Sequence, residues 1–249
     1  YHPCMAQNDT SVREDEPLYV HDAVFEPIDT PTAVDEVARR IRQAIVLGVL
    51  RDGDRLPAET ELAKRIGVGV MTVRAALSEL RADGLLETHR GRLGGSFVAS
   101  SDKAILSAVV STDPARLRAL AEILGGLEAQ AARLAAERIT EEEIQVLDEL
   151  EEELARDLAP AELGMLNNRF HLTIAAASGN RELVSMITQR RAEIYAASYS
   201  LSGVRLPLVL DGDAHPSIVD ALRHRDGDLA AARMWEHHRV TMEYVLAAM

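Results

Sequence analysis

Two short helical patterns separated by a tight turn constrain the fold of this chain more than any other feature of its sequence. The first pattern begins after Pro57 and ends at Gly67, and the second begins at Val70 and stops before Asp83-Gly84. Glycine often ends a helix because it adopts the left-handed conformation without a steric penalty. A short helix, a tight turn and a second helix together predict a helix-turn-helix.

Segments on both sides complete a small domain around this motif. Pro31 follows an N-capping threonine, and apolar residues then recur at helical spacing to about Leu47. On the other side, two short extended runs at residues 85–88 and 96–99 enclose a glycine- and arginine-rich stretch, a pattern that predicts a β-hairpin wing. Residues 31–100 are therefore predicted to form a winged helix-turn-helix DNA-binding domain of three helices and a hairpin.

The distribution of charge points to the same segment. The whole chain carries a net charge of -13, which argues against a protein whose entire surface binds nucleic acid. Residues 31–100 nevertheless hold eleven basic and nine acidic residues, a net charge of +2, whereas residues 1–30 and 101–249 carry -6 and -9. A module that contacts DNA is expected in the segment that escapes the general acidity.

The rest of the sequence predicts an arm and a helical domain. Residues 1–30 are acidic and interrupted by proline, without helical or strand period, and are interpreted as a flexible N-terminal arm. Residues 101–249 contain successive amphipathic stretches, one of them opened by a capping box of Thr140 and Glu143. They predict an all-α bundle of six or seven helices, so the predicted fold class is mainly α.

Composition also limits the compartment. No apolar run reaches the roughly 18 residues that a transmembrane helix needs, and the start of the chain lacks a secretory signal pattern. The single cysteine, Cys4, excludes an internal disulfide and is typical of a reducing compartment. The sequence therefore predicts a soluble cytoplasmic protein that binds no membrane.

The DNA-binding segment closely resembles the GntR family of winged-helix regulators. The stretches that carry the resemblance are Gly48–Glu59, Glu61–Ala63, Gly67-Val68, Thr72–Leu77 and the Arg90-Gly91 wing. The helical segment that follows resembles the FCD ligand-binding domain of the FadR-type branch. The resemblance implies a homodimer on a pseudo-palindromic operator in double-stranded DNA, and a helical domain that mediates dimerisation and binds a small organic acid effector.

The recognition helix and the wing contain the candidate DNA-binding residues. The resemblance places Thr72 and Arg74 near the N-terminal end of the recognition helix, where donors reach base edges in the major groove. Arg74 fits either a bidentate contact to guanine or a phosphate contact. In the wing, Arg90, Gly91 and Arg92 combine positive charge with close backbone approach, which suits phosphate or minor-groove contacts.

Two considerations leave these contacts open. Where the family usually has Ser-Arg at the start of the recognition helix, this chain has Gly69-Val70, which predicts weaker or altered base readout. The alternative for Arg74, as for Arg81, is a solvated helix face with an ion pair to Glu79. The alternative for the wing arginines is an ordinary exposed hairpin.

An asparagine and three histidines in the helical domain form a candidate metal site. Asn167 and His171 are four residues apart and share a helix face, while His215 and His237 lie on the last two predicted helices. The resemblance implies that these positions hold a divalent metal, with zinc expected and nickel or another transition metal as alternatives. Without the resemblance, each histidine would more simply be a hydrogen-bonded core or surface residue. His238 is interpreted as a bystander or as support for the site.

The effector pocket departs from related domains at one position. Where this branch often has Arg-x-x-Leu-Glu in the first sensor helix, the arginine is replaced here by Leu124. An acid would then be bound through the metal and through Arg169 or Arg191, or the ligand is less anionic. Both arginines could instead be exposed charges.

Together these features predict a ligand-responsive transcription regulator, expected to be a repressor and not an enzyme. Two alternatives stay open at this point. The missing charges at Asn167 and Leu124 fit a constitutive DNA-binding regulator with a degenerate sensor domain. A metal held by three histidines also activates water in hydrolases, but the sequence contains no His-Glu-x-x-His and no evident general base.

Overall fold

The computed structural model describes residues 31–91, 94–109, 113–202 and 214–247, which fold as ten helices and a two-stranded antiparallel sheet. The fold is mainly α, as the sequence predicts. Residues 1–30, predicted to be an arm, and Arg92 of the wing lie outside the described residues. No helix within the described ranges combines the length and hydropathy that a membrane span requires.

Three helices and a hairpin form the predicted winged helix-turn-helix. Their bounds are Ala33–Val46 for α1, Glu59–Ile66 for α2, Val70–Ala82 for α3, Leu86–His89 for β1 and Gly95–Val98 for β2. The turn between α2 and α3 depends on Gly67, which caps α2 at φ 81°. That backbone conformation favours glycine, so the position of the turn was readable from the sequence.

An apolar core joins these elements. Each helix buries the stripe that its periodicity predicts, and the fully buried members are Val37, Ile45, Val73, Leu77 and Leu80. Leu86 and Val98 face each other across the hairpin and add to the same core. Full burial of such side chains contributes about 1.5–3 kcal/mol each, so packing holds the recognition helix in place.

Seven further helices confirm the predicted bundle. Their bounds are Ser101–Ser107 for α4, Pro114–Arg138 for α5, Glu141–Leu154 for α6, Pro160–Ala177 for α7, Arg181–Ser202 for α8, Ala214–Arg223 for α9 and Gly227–Ala247 for α10. The predicted capping box is present at α6. The backbone N–H of Glu143 donates to Oγ1 of Thr140 at 3.2 Å, and the backbone N–H of Thr140 donates to the Glu143 carboxylate at 2.9 Å.

The core of the winged domain continues into the bundle through α7 and α8. Ala192, Tyr195 and Ala196 of α8 are buried in the same apolar cluster as the side chains of α1 and α3. Met165 of α7 lies against Gly48, where an added Cβ would be 2.6 Å from the Met165 Cβ. Helices α7 and α8 of the bundle therefore contact the winged helix-turn-helix directly.

Candidate functional site

The candidate DNA-reading surface is the N-terminal half of α3. Thr72 is half-buried and Arg74 is exposed, while Val73 between them points into the core. The Arg74 guanidinium donates from Nε and Nη2 to Oε2 of Glu59 at 3.0 and 2.8 Å. The ion-pair partner of Arg74 is therefore Glu59 of α2, and not the Glu79 suggested by the sequence.

The start of α3 lacks a polar side chain, as the Gly69-Val70 departure predicts. Gly69 occupies the N-cap without a side-chain hydrogen bond, and Val70 packs partly against the core. Met71 is 69% exposed and is the apolar side chain available at this end of the helix. At the first two positions of α3, any contact with bases would therefore be apolar, and Thr72 is the first polar side chain of the helix.

The described part of the wing presents Arg90 and Gly91 to solvent. Gly91 has a φ of 109°, a conformation that favours glycine at the hairpin tip. Arg55 donates from Nη2 to the carbonyl oxygen of Gly94 at 2.7 Å and so ties the wing to the segment before α2. This contact fixes the hairpin, at the residue before β2, to the segment that leads into α2.

Three helices bring the predicted histidines together. His171 lies on α7, His215 in the first turn of α9 and His237 on α10, and ligand atoms from the three rings lie within 4.8 Å of one another. Nε2 of His215 and Nε2 of His237 are 3.2 Å apart. His171 and His215 are buried and His237 is half-buried. Nitrogen donors that converge in this way suit a divalent metal.

Two carboxylates lie behind these rings. Nδ1 of His215 is 2.9 Å from Oε1 of Glu151, and Nδ1 of His171 is 3.4 Å from Oε1 of Glu128. A carboxylate at one imidazole nitrogen orients the ring and makes the other nitrogen a better metal ligand. The His215–Glu151 contact is a hydrogen bond, whereas Nδ1 of His171 lies near Glu128 without a hydrogen-bond partner among the described residues.

Burial keeps His171 and His237 neutral. Desolvation, reinforced by the positive charge of Arg191, lowers the pKa of His171 to about 3. Desolvation and the neighbouring imidazoles lower the pKa of His237 to about 2. Burial by itself raises the pKa of the Glu128 carboxyl, but the guanidinium of Arg191 holds that pKa well below its usual value. Neutral imidazoles can bind a metal without first losing a proton.

Asn167 completes a donor set that fits a metal. It is buried and lines the same cavity of about 50 Å³ as His171 and His237. Within the part of the chain that the structure describes, Oδ1 of Asn167 and Nε2 of His171 are buried without a hydrogen-bond partner. Such atoms cost folding free energy unless something binds them. An amide oxygen and three imidazoles suit a borderline transition metal better than calcium or magnesium.

A second polar group in the cavity surrounds Arg191 of α8. Its guanidinium pairs with the Glu128 carboxylate of α5, and its Nε and Nη2 donate to Oδ1 of Asn168 at 3.3 and 3.2 Å. Of the two arginines proposed from sequence for the effector, Arg191 is buried in the cavity wall. Arg169 is half-buried and is not part of that wall.

His238 supports this polar group. Its Nδ1 lies 3.3 Å from Oε2 of Glu128, and its Nε2 lies 2.8 Å from the carbonyl oxygen of Ala121. Gly125 permits the close approach of α10 to α5, because a Cβ there would be 2.8 Å from Cδ2 of His238. Leu124, which replaces the arginine of related domains, is a buried apolar part of the cavity wall.

Sequence reasoning gave no role to four residues of this site, namely Glu128, Glu151, Asn168 and Tyr195. Glu128 had a usable signal, because it continues the spacing of Leu124 and Ala131 on the buried face of α5. Glu151 had none, since every residue of Asp148–Leu154 is acidic or leucine and nothing in the sequence distinguishes one of these carboxylates from another. Only the position of His215 on α9 distinguishes it.

Comparison with known families covers both segments of the chain. Residues 33–98 match the family described as bacterial regulatory proteins, gntR family. Residues 119–239 match the FCD domain.

Comparison with individual proteins agrees with these matches. The chain is 33% identical over 220 residues to the "Putative L-lactate dehydrogenase operon regulatory protein" of Escherichia coli (strain K12), a match that covers 82% of each chain. It is 35% identical over 155 residues to the "Putative HTH-type transcriptional regulator RmpR" of Mycobacterium gastri, which covers 61% of this chain and only 57% of that relative. The fold is similar to that of E. coli McbR/YncC, with a TM-score of 0.52, 21% identity, and coverage of 87% of this chain and 98% of the other. The matched families and named relatives are regulators, which supports the expectation of a protein that is not an enzyme.

Proposed function

This chain belongs to the GntR family of bacterial transcription regulators that carry an FCD domain, and on that premise we propose that it is a cytoplasmic repressor released from DNA by a small organic acid. The DNA-binding domain would comprise residues 31–100 and the effector domain residues 101–249. The main observation behind this proposal is the cavity in the helical segment. Asn167, Asn168 and His171 line it, and each has a buried polar side-chain atom without a hydrogen-bond partner among the described residues. A cavity of this kind supports a polar ligand.

The proposed metal ligands are Asn167, His171, His215 and His237, with zinc as the first candidate. A metal bound there would supply a Lewis-acidic centre that an acid can ligate. An amide and three imidazoles carry no negative charge, so they offset none of the charge of the metal, and an anionic ligand would do so. Elemental analysis of untagged protein should find about one divalent ion per chain. An empty site, together with an unchanged His215→Ala variant, would refute the metal.

The proposed effector is a short hydroxy acid. Arg191, which lines the same cavity as His171 and His237, would attract the carboxylate. The relative named for an L-lactate dehydrogenase operon makes L-lactate the first compound to test, and glycolate is the hydroxy acid one carbon shorter. Arg169 remains a secondary candidate for contact with the acid.

The proposed operator contacts are Thr72 and Arg74 in the recognition helix and Arg90, Gly91 and Arg92 in the wing. Two copies of this surface on a pseudo-palindromic site require a two-fold dimer. We propose that the dimer forms on a groove of about 510 Å³ between α5 and α10. Trp235, 44% exposed, provides an apolar anchor. Charges of both signs line the groove and suit self-complementary pairing: Arg118, Glu122, Arg239 and Glu243.

The oligomeric state tests the interface. The wild-type protein should run as a dimer in light-scattering chromatography, and Trp235→Arg should run as a monomer with an unchanged circular dichroism spectrum. The matched control Trp235→Phe should remain a dimer. A dimeric Trp235→Arg variant would exclude this groove.

Footprinting with and without acid tests the regulator as a whole. Protection of a promoter fragment that is lost on addition of L-lactate or glycolate is the expected result. Protection that no acid alters would favour the constitutive regulator with a degenerate sensor. Absence of any sequence preference at low ionic strength would refute DNA regulation by this chain.

A further inference from the structure

We propose that the hydroxyl of Tyr195 binds an oxygen atom of the effector and that Tyr195 connects the effector cavity to the DNA-binding domain. This inference rests on the proposed effector function and adds to it a binding group and a route of transmission. Tyr195 is absent from the set of residues that the sequence suggested. The inference depends on the position of Tyr195, which lines the cavity and also belongs to the apolar core of the winged domain.

Tyr195 takes part in one of two neighbouring contacts between α7 and α8. Arg191 and Tyr195 are four residues apart on α8, and Gly164 and Asn168 are four apart on α7, so each pair shares a helix face. In the first contact, Arg191 donates to Asn168. One helical turn away, Tyr195 lies against Gly164, where an added Cβ would be 2.7 Å from the Tyr195 hydroxyl oxygen. Glycine at this position leaves the room that the phenol needs.

The hydroxyl of Tyr195 is buried and has no hydrogen-bond partner within the described ranges. The residue is 6% exposed and lines the cavity, as does Asn168, whose Nδ2 is also buried without a partner there. Burial raises the pKa of Tyr195 to about 12, so the phenol stays protonated and can donate. Phenylalanine would fill the same space without the cost of an unsatisfied hydroxyl. A ligand that accepts from this hydroxyl gives it a function.

These groups define the ligand's chemistry. The Tyr195 hydroxyl and Nδ2 of Asn168 are both donors, and the guanidinium of Arg191 lies beside them. Donors around a small cavity select a ligand with an exposed acceptor oxygen, either on a carboxylate or on a hydroxyl. The cavity volume of about 50 Å³ restricts the ligand to a few heavy atoms. A short hydroxycarboxylate meets both conditions.

The ring of Tyr195 belongs to the core of the winged domain. It is buried in the same apolar cluster as the side chains of α1 and α3, between Ala192 and Ala196 on the same helix. One turn further along α8, the Tyr199 hydroxyl donates to Oδ1 of Asp102 in α4 at 2.9 Å. Packed cores transmit displacement because they contain few voids. A ligand that pulls on Tyr195 therefore acts on the packing that holds the recognition helix.

Tyr195→Phe tests the inference, with Tyr199→Phe as the matched control. Both variants lose one phenol hydroxyl, but that of Tyr199 has an internal partner and lies outside the cavity wall. Zinc-loaded full-length dimer would be titrated calorimetrically with L-lactate and with glycolate, and the melting temperature would be measured without acid. For Tyr195→Phe we expect about tenfold weaker binding of the acid, the equivalent of one hydrogen bond. The melting temperature without acid should be unchanged or higher.

Tyr199→Phe should bind the acids as the wild-type protein does. Operator affinity at saturating acid gives a second readout, and Tyr195→Phe should show a smaller acid-induced loss of DNA binding than the wild type. Equal acid affinity in Tyr195→Phe and wild type would overturn the binding role, and a full DNA response would overturn the connecting role. A lower melting temperature of acid-free Tyr195→Phe would also count against the proposal, since it would reveal an internal partner. If the wild-type protein binds neither acid, the proposed effector function fails together with this inference. If the wild type and Tyr195→Phe bind the acid equally well, only the role of Tyr195 fails, so the two failures are distinguishable.

Discussion

Two arginine–glutamate pairs, one in each half of the molecule, differ chiefly in their exposure. Arg74 and Glu59 pair on the candidate DNA-reading surface with side chains that are 55% and 34% exposed. Arg191 and Glu128 pair in the cavity of the helical segment with side chains that are 8% and 2% exposed. The chemical groups are the same, so water is what separates the two cases.

The difference implies opposite mechanical properties. A solvated ion pair contributes about 0–1 kcal/mol, so Arg74 can exchange Glu59 for a phosphate or a guanine at little cost. A buried pair that loses one partner leaves an uncompensated charge and costs about 3–5 kcal/mol, so Arg191 and Glu128 hold each other in place. The proposed DNA surface is therefore able to change partners, whereas the proposed effector cavity is preorganised.

Breaking the buried pair should have the largest effect. Glu128→Gln keeps the shape of the side chain but leaves the Arg191 guanidinium without a counter-charge, and it should lower the free energy of unfolding by about 3–5 kcal/mol. Urea denaturation monitored by circular dichroism would measure this. A loss below about 1 kcal/mol would show that water reaches the pair and would remove the contrast between the two regions.

Removing the exposed arginine should affect binding and leave stability unchanged. Arg74→Ala should weaken binding to the specific operator by about 1–3 kcal/mol per half-site, because a base or phosphate contact is lost. The free energy of unfolding should change by less than about 0.5 kcal/mol. Fluorescence anisotropy with an operator fragment and a scrambled fragment gives the comparison. Unchanged operator affinity would exclude Arg74 from DNA recognition.

Glu151 provides an intermediate case between the two pairs. Its side chain is 21% exposed and holds Nδ1 of His215 at 2.9 Å. Glu151→Gln should lower zinc affinity about 10–100-fold, because the ring loses its orienting carboxylate. Competition with a zinc-binding dye would measure the loss. Neighbouring Glu152→Gln, an exposed position on the same helix, is the control that should bind zinc normally.

Removing the charge of Glu59 from the exposed Arg74–Glu59 pair should have the smallest effect. Glu59→Gln removes the internal competitor for Arg74, so operator affinity should stay constant or rise up to about fivefold, the worth of a surface ion pair. The free energy of unfolding should fall by no more than about 1 kcal/mol. A loss of several kcal/mol in either quantity would show that the Arg74–Glu59 pair is structural.

The fold was largely predictable because its signals are local. Gly67 ends α2, Thr140 and Glu143 cap α6, and the periodic apolar residues of α1 and α3 are the ones buried. Each of these features depends on residues within one turn of one another. The hairpin strands begin and end one residue from their predicted bounds, which is the usual precision of turn signals.

The site was predictable in part. What the sequence did not predict are the contacts between residues that are distant along the chain. The sequence and its family resemblance suggested Asn167, His171, His215 and His237, and the three histidines do converge. Of the proposed acid-binding arginines, only the buried Arg191 lines the cavity. The partners Glu59, Glu128 and Glu151 were not foreseen, because each contacts its arginine or histidine across at least fifteen residues of chain.

By itself, the sequence determined the helices, the turn between α2 and α3, the wing and the family, because periodicity, caps and glycine conformations are set by neighbouring residues. Only the tertiary structure decided which charged and polar groups are buried from solvent. It buried the Arg191–Glu128 pair and the Tyr195 hydroxyl and left Arg74 in water. Exposure is a property of the packed molecule, and it sets the strength of every charge and hydrogen bond on which the proposed regulation depends.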